Sequence, residues 1–323
     1  MVIDRQRGLD SLAGILIIYM ILYHCIQHAG LQDSVLYDIL HRFFFFFMAW
    51  FYYKAGMFHR KKTVKEVVLS SAKRLLKPYV FFTLIAHLCC CLNYLVSGDY
   101  DIIHYTLSPF KQILLFEATN WNLPLWFLIS LFVVKNIFNM WILRFNPKVL
   151  FIVGIVAWQT SHDSLIYPIF IQNIALGLFF YTCGNCFGRL KFSKWLILVF
   201  GVVYIWALFN PSHVDFRANI VGNNTCYLQW LLVSLMAIVL YNNMFENAPR
   251  ILLNNMFVCI GENSMFFYCT HWIIIMIIKA ILTNANVDMS ALQLLVIFVC
   301  LEIFILSFLF KVIPQTLKIK IGI

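Results

Sequence analysis

The stretch LAGILIIYMILYHCIQHA, residues 12–29, decides the fold class. It contains no Asp, Glu, Lys or Arg. Its length suits a helix that crosses a bilayer, which needs about 20 mostly apolar residues. It is too long for the apolar core of a cleavable leader and lacks a small-residue cleavage site, so it reads as a first span. Comparable runs follow to the end of the chain. We read spans near 11–29, 40–58, 79–97, 123–142, 148–161, 168–187, 195–210, 225–245, 257–279 and 291–313. The fifth and seventh are short. The half-apolar stretch 107–122 reads as an interfacial or re-entrant piece.

Composition agrees. The chain has 323 residues, 62% hydrophobic and 12% charged, whereas a soluble domain carries about 25% charged residues. A net charge of +10 on a soluble protein would suggest nucleic acid. Here the basic residues lie between apolar runs, so nucleic acid is not expected and membrane lipid is. The expected fold is all-α, a polytopic transmembrane helix bundle of about ten spans in a single domain covering residues 1–323.

Charge also orients the bundle. If the N-terminus is cytoplasmic, one side collects Arg5, Arg7, Arg60, Lys61, Lys62, Lys65, Lys73, Arg74, Lys77, Arg144, Lys148, Arg189, Lys191, Lys194, Arg250, Lys311, Lys318 and Lys320. The other side collects Asp33, Asp38, Asp99, Asp101, Glu117, Asp163, Asp215 and Asp288, with Lys111, Arg217 and Lys279, and Arg42 at its edge. The positive-inside rule then places both termini in the cytoplasm. No internal repeat is visible, so an inverted-repeat transporter gains no support.

The ten cysteines lie almost all inside apolar runs and read as small hydrophobes. Cys183 and Cys186 have CxxC spacing but no second pair, and no metal site is expected. The phenylalanine run at 43–47 reads as aromatic packing.

Ionisable groups inside spans are costly and mark function. His24 lies roughly 20 Å along the first span, nearer the outer face. His28 follows one turn later and reads as interfacial. Lys54 stands near the inner end of the second span, facing either the interior or the headgroups. His271 is in the middle of the ninth span, seven residues after Ser264, and Glu302 is in the middle of the tenth. Each also has a plain structural reading, such as a hydrogen bond to a neighbouring helix or a packed, protonated carboxyl. The basic stretch 59–77 serves as a topology anchor near anionic lipid, as an anion-binding rim, or as both.

Several landmarks, in order along the chain, resemble the acyltransferase-3 family of bacterial membrane O-acyltransferases, including its fucose acetylase-like members. They are Asp10 and His24 bounding the first span, FFFFMAWFYYKAGMF in the second, KRLLKPY opening the third, PLWFL at 124–128, and IGENSMFFYCTH at 260–271. Three positions depart from the family pattern. Ala13 stands where Arg or Lys is usual, Phe47 where many relatives have His, and Ala49 where Pro is common.

The resemblance implies transfer of an acyl group, most often acetyl, from cytoplasmic acyl-CoA to a hydroxyl of a cell-surface glycan or its lipid-linked precursor. It implies a bacterial inner membrane and no permanently bound cofactor, acyl-CoA being a co-substrate. His24, Asp10 and His271 are the expected catalytic residues. Arg74, Lys77 and Lys54 are expected to hold the donor, and Trp126, Ser264 and Glu302 to line the substrate cavity. A neutral imidazole near pH 7 suits removal of a hydroxyl proton. The alternatives are a non-enzymatic polysaccharide or lipid transporter and an inactive family member, both of which Ala13 favours.

Overall fold

The computed structural model describes residues 7–98, 101–159, 161, 170–212, 214–222, 226–247 and 255–323. Arg5, Asp99, Asp163 and Arg250 lie outside the described residues, as do parts of the expected fifth, sixth and eighth spans. Helices α1 (Arg7–His28), α2 (Val35–Phe44), α3 (Phe47–Met57), α4 (Val64–Ser71) and α5 (Lys77–Ser97) open the chain. Next come α6 (Ile102–Phe116), α7 (Trp126–Ile142), α8 (Ile152–Gln159), α9 (Phe170–Phe187) and α10 (Lys194–Phe209). A two-stranded hairpin, β1 (Val214–Asp215) and β2 (Ile220–Val221), precedes α11 (Tyr227–Glu246) and α12 (Asn255–Glu262). Helices α13 (Ser264–Asn284), α14 (Ala291–Val312) and α15 (Gln315–Ile321) close it.

Seven helical segments among the described residues are long and apolar enough to cross a membrane, each overlapping one of the expected spans. The fifth and seventh expected spans correspond to the shorter apolar segments Pro147–Gln159 and Lys194–Phe209. The sixth corresponds to α9.

Two expected spans are broken. The second divides at Phe45–Phe46, inside the phenylalanine run. The Phe43 carbonyl at this break accepts the Tyr204 hydroxyl at 2.9 Å, and the Trp50 amide bonds the Phe46 carbonyl at 2.9 Å, so α3 starts cleanly. A break at membrane depth is tolerated when the freed backbone groups find such partners. The ninth divides at Asn263, whose side-chain amide donates to the Cys259 carbonyl at 2.8 Å. The short α12 then lies along α1, and α13 runs on to Asn284.

Glycines set the two closest helix contacts. A Cβ on Gly261 of α12 would lie 1.8 Å from the Asp10 carbonyl oxygen, and one on Gly14 of α1 would lie 2.0 Å from that of Phe257. Gly56 of α3 and Gly184 of α9 repeat the arrangement, 1.9 Å from the Tyr181 oxygen and 2.0 Å from the Tyr53 oxygen. In lipid, where no hydrophobic force drives helices together, small residues let backbones approach and dispersion take over. These seams hold α1 in place, with Leu12, Leu16, Ile17 and Met20 buried along it. The outer surfaces of α5, α10 and α14 are apolar and exposed, as lipid-facing helices must be.

Candidate active site

His24 lies on α1, and its surroundings come from distant parts of the chain. Its ring stacks on that of His271 of α13, centroids 5.4 Å apart and planes 21° apart. The Trp272 ring meets it edge-on at 4.8 Å and Tyr23 does so at 5.2 Å. Trp272 is itself pinned by its indole N–H, which donates to the Asn120 carbonyl at 3.0 Å. One turn along α1, Gln27 accepts a hydrogen bond from His24 Nδ1–H at 2.9 Å through Oε1. A carbonyl oxygen can only accept, so the bond assigns the proton to Nδ1 and leaves Nε2 as the basic nitrogen.

His271 is completely buried. Its Nδ1–H donates to the Tyr268 carbonyl at 2.8 Å and reaches that of Phe267 at 3.2 Å. Its Nε2 is buried and has no hydrogen-bond partner among the described residues. The two imidazoles therefore lie face to face, each tied through Nδ1.

His24 lines a cavity of about 420 Å³. Its wall includes Gln27, Trp126, Tyr268, Trp272 and, from the hairpin, Asp215 and Arg217. Tyr268 is anchored by its hydroxyl on the Pro124 carbonyl. Phe45 and Phe47 also reach the wall, so part of the phenylalanine run, expected to serve packing, shapes the cavity. Aromatic faces with a few convergent polar groups are the usual lining of a small-molecule site.

The other expected site residues are spread out. Asp10 and Lys54 pair with each other: Lys54 Nζ is 3.2 Å from Asp10 Oδ1 and donates to the Leu9 carbonyl at 3.3 Å. Lys54 also lies over the Trp50 ring, 5.1 Å from its centroid. It faces α1, and Ala13 follows Asp10 by less than one turn, itself buried. Along α1 this pair is roughly 20 Å from His24, so Asp10 does not join His24 and His271. Arg74 sits in a π-helical turn, Ala72–Leu76, and Lys77 opens α5; both are exposed. Ser264 opens α13, two turns before His271, and Glu302 is buried in α14 near Cys25. Of the three residues expected to line the cavity, Trp126 is in its wall and Ser264 and Glu302 are not.

At the basic end, the loop after α3 is tied down by His59. Its Nδ1 meets the Tyr181 hydroxyl at 2.7 Å, and Asn139 clamps Lys62 with a bond to its amide at 3.2 Å and another to its carbonyl at 2.9 Å. Burial pushes the His59 imidazole down to about 4, so it is neutral at physiological pH. The clamp leaves Arg60, Lys61 and Lys62 exposed beside Arg74 and Lys77 in sequence order.

Gln27, Trp272, Tyr268, Asp215 and Arg217 were not expected at the site; Asp215 and Arg217 entered the sequence reading only as charges that orient the bundle. Gln27 was within reach of it, lying three residues after His24 and so on the same helical face. The hairpin pair had no such signal, because nothing local links residue 217 to residue 24.

The site is thus a stacked pair of histidines, His271 buried and His24 half-buried, beside an aromatic cavity in a bundle of long apolar helices. The family model described as an acyltransferase domain matches residues 6–312, and the chain belongs to the acyltransferase 3 family. Neither a curated protein nor a solved structure matches it.

Proposed function

We propose that this protein moves an acyl group, acetyl in the first instance, from cytoplasmic acyl-CoA to a hydroxyl of a glycan or its lipid-linked precursor in a bacterial inner membrane, with His24 as general base. The observation that carries the reading is the His24–Gln27 bond at the wall of the aromatic cavity. It reserves Nε2 for the proton of a bound hydroxyl. In the step, Nε2 takes the O–H proton as the oxygen bonds to the thioester carbonyl carbon. The tetrahedral intermediate then expels the thiolate as the C–S bond breaks, and the proton on His24 passes to sulfur. No net proton is consumed. Family membership supports acyl transfer in general.

The donor enters from the basic end, where the phosphates of coenzyme A meet Arg74 and Lys77 and where Lys54 adds a partly buried cation. The long pantetheine arm suits the distance along α1 that separates these residues from His24. His271 backs the His24 ring and fixes its plane. The cavity aromatics offer faces for a sugar ring.

The test uses purified protein in liposomes with radiolabelled acetyl-CoA. His24→Ala should lower acetyl transfer and acetyl-CoA hydrolysis by at least about a hundredfold, the size expected for loss of a general base, with expression and unfolding temperature unchanged. Near-wild-type transfer in this variant would remove His24 as the base. A wild-type protein that neither transfers nor hydrolyses acetyl-CoA would favour the transporter or inactive-member alternatives.

A further inference from the structure

We propose that Arg217 is the acceptor-recognition residue of the His24 cavity and reads an anionic group, carboxylate or phosphate, on the sugar that presents the hydroxyl; its role as an acceptor subsite rests on the acyl-transfer reading above.

The guanidinium is held on a built platform. The hairpin pairs Val214 with Val221 and Asp215 with Ile220. At its turn, Asp215 Oδ1 accepts the backbone N–H groups of Arg217 at 2.9 Å and Ala218 at 3.4 Å. Asn219, completely buried with φ of 53°, donates to the Ala157 carbonyl at 2.7 Å and accepts the Tyr227 hydroxyl at 2.8 Å. Phe216 stacks on Tyr52 with centroids 5.3 Å apart. The Arg217 guanidinium then donates from Nη2 to the Phe116 carbonyl at 2.9 Å and lies 5.6 Å from the Phe116 ring centroid.

Behind it stands Glu117, 2% exposed. Glu117 Oε2 accepts from Asn173 at 2.6 Å, Asn173 Oδ1 accepts from Ser130 at 2.8 Å, and the Ser130 oxygen accepts from Tyr52 at 2.7 Å. The chain of bonds ends on the residue that carries Phe216, so the acid and the hairpin are braced by one network. Burial raises the Glu117 carboxyl to about 7, against the hydrogen bond from Asn173 and the pull of Arg217. Near neutral pH the acid therefore offsets the Arg217 charge only in part. The acid in the wall itself, Asp215, commits Oδ1 to the turn.

Arg217 is the one Arg or Lys among the described residues of the wall. Hydroxyl recognition needs no such group, since Gln27, Tyr23 and Tyr37 also line the cavity and offer neutral partners. A guanidinium adds a planar fork that matches carboxylate and phosphate and is poorly served by a neutral polyol. Its place in the same wall as His24 puts the anion on the acceptor.

The test is binding to the full-length protein in detergent without acyl-CoA, followed by tryptophan fluorescence, since Trp126 and Trp272 line the cavity. The probes are a glucuronate-containing disaccharide, its neutral glucose counterpart, and glucose 1-phosphate. Wild type should bind one anionic probe roughly tenfold or more tighter than the neutral one, and the carboxylate and phosphate arms identify the source. Arg217→Gln should erase the preference. Arg217→Lys, which keeps the charge, should retain part of it. Equal wild-type affinity for all three probes, no binding of either anion, or a preference that survives Arg217→Gln would overturn the proposal. If Arg217→Gln unfolds, a salt-insensitive wild-type preference would also overturn it. The two readings fail separately. Wild type lacking acetyl transfer but keeping an Arg217-dependent preference sinks the acyltransferase reading and leaves an anion site; transfer without preference does the reverse.

Discussion

Among single residues, Lys54 has the most direct consequence. The resemblance implies a cation at the position of Ala13, and we propose that Lys54 supplies it from α3. The sequence left two placements open for Lys54, and the structure chooses the inward one, against Asp10 and the Leu9 carbonyl. A buried carboxylate beside a partly buried ammonium is costly to break, because the survivor is left uncompensated, at about 3–5 kcal/mol for fully buried pairs and less where solvent reaches the lysine. We expect Lys54→Ala to lower acetyl transfer by roughly a hundredfold, and Ala13→Arg added to it to restore part of the loss. Position 13 is three residues from Asp10, so an arginine there reaches the same carboxylate. Activity in the single variant equal to wild type would assign Lys54 to structure alone. A double variant with no recovery would show that the charge must come from α3.

Elements are held together by a few glycines, and these decide which face of α1 looks into the cavity. Because Gly261 meets the Asp10 backbone, α12 locks the start of α1, and His24 is presented where α13 brings His271. A methyl group at position 261 has no room, and backbone rather than a flexible side chain is in the way. Gly261→Ala should therefore lower stability in detergent by about 1–3 kcal/mol. It should also lower activity beyond what the stability loss explains, since α1 must shift. Gly201 of α10 is the control: a Cβ there meets nothing within 4 Å. Gly201→Ala should be neutral or slightly stabilising. Equal unfolding temperatures for the two variants would contradict the packing argument.

Across the whole molecule, the Asp10–Lys54 pair and the His24 cavity are separated by most of the length of α1, and the proposed donor entry lies at the basic stretch rather than at the cavity. The donor and acceptor are thus expected to be sensed by separate variants. Arg74→Gln should raise the apparent KM for acetyl-CoA by about tenfold, the loss of one charge-assisted phosphate contact, with the KM for acceptor unchanged. Initial rates in proteoliposomes over a matrix of both substrates would measure this. An unchanged acetyl-CoA dependence would make Arg74 a topology anchor in anionic lipid.

Much of this protein was written along the chain. Hydropathy and run length located the seven long apolar segments, because the bilayer's demand on a segment is local and additive. The first-span His24, Asp10 and the ordered landmarks carried the family. An ionisable group in an apolar run stands out without any knowledge of its neighbours. What surrounds those residues depended on tertiary structure. Asp10 resembles a partner of His24 in sequence, yet it belongs to Lys54 at the far end of the helix. Glu302 and Ser264, expected to line a substrate cavity, are not in the wall of the His24 cavity, while Arg217 arrives there from a hairpin that hydropathy does not mark. The breaks at Phe45–Phe46 and Asn263 were equally hidden. The physical reason is the same in each case. Rotation and pairing of helices in a membrane are set by backbone approach at glycines and by hydrogen bonds between residues far apart in the chain, and neither leaves a periodic trace in the sequence.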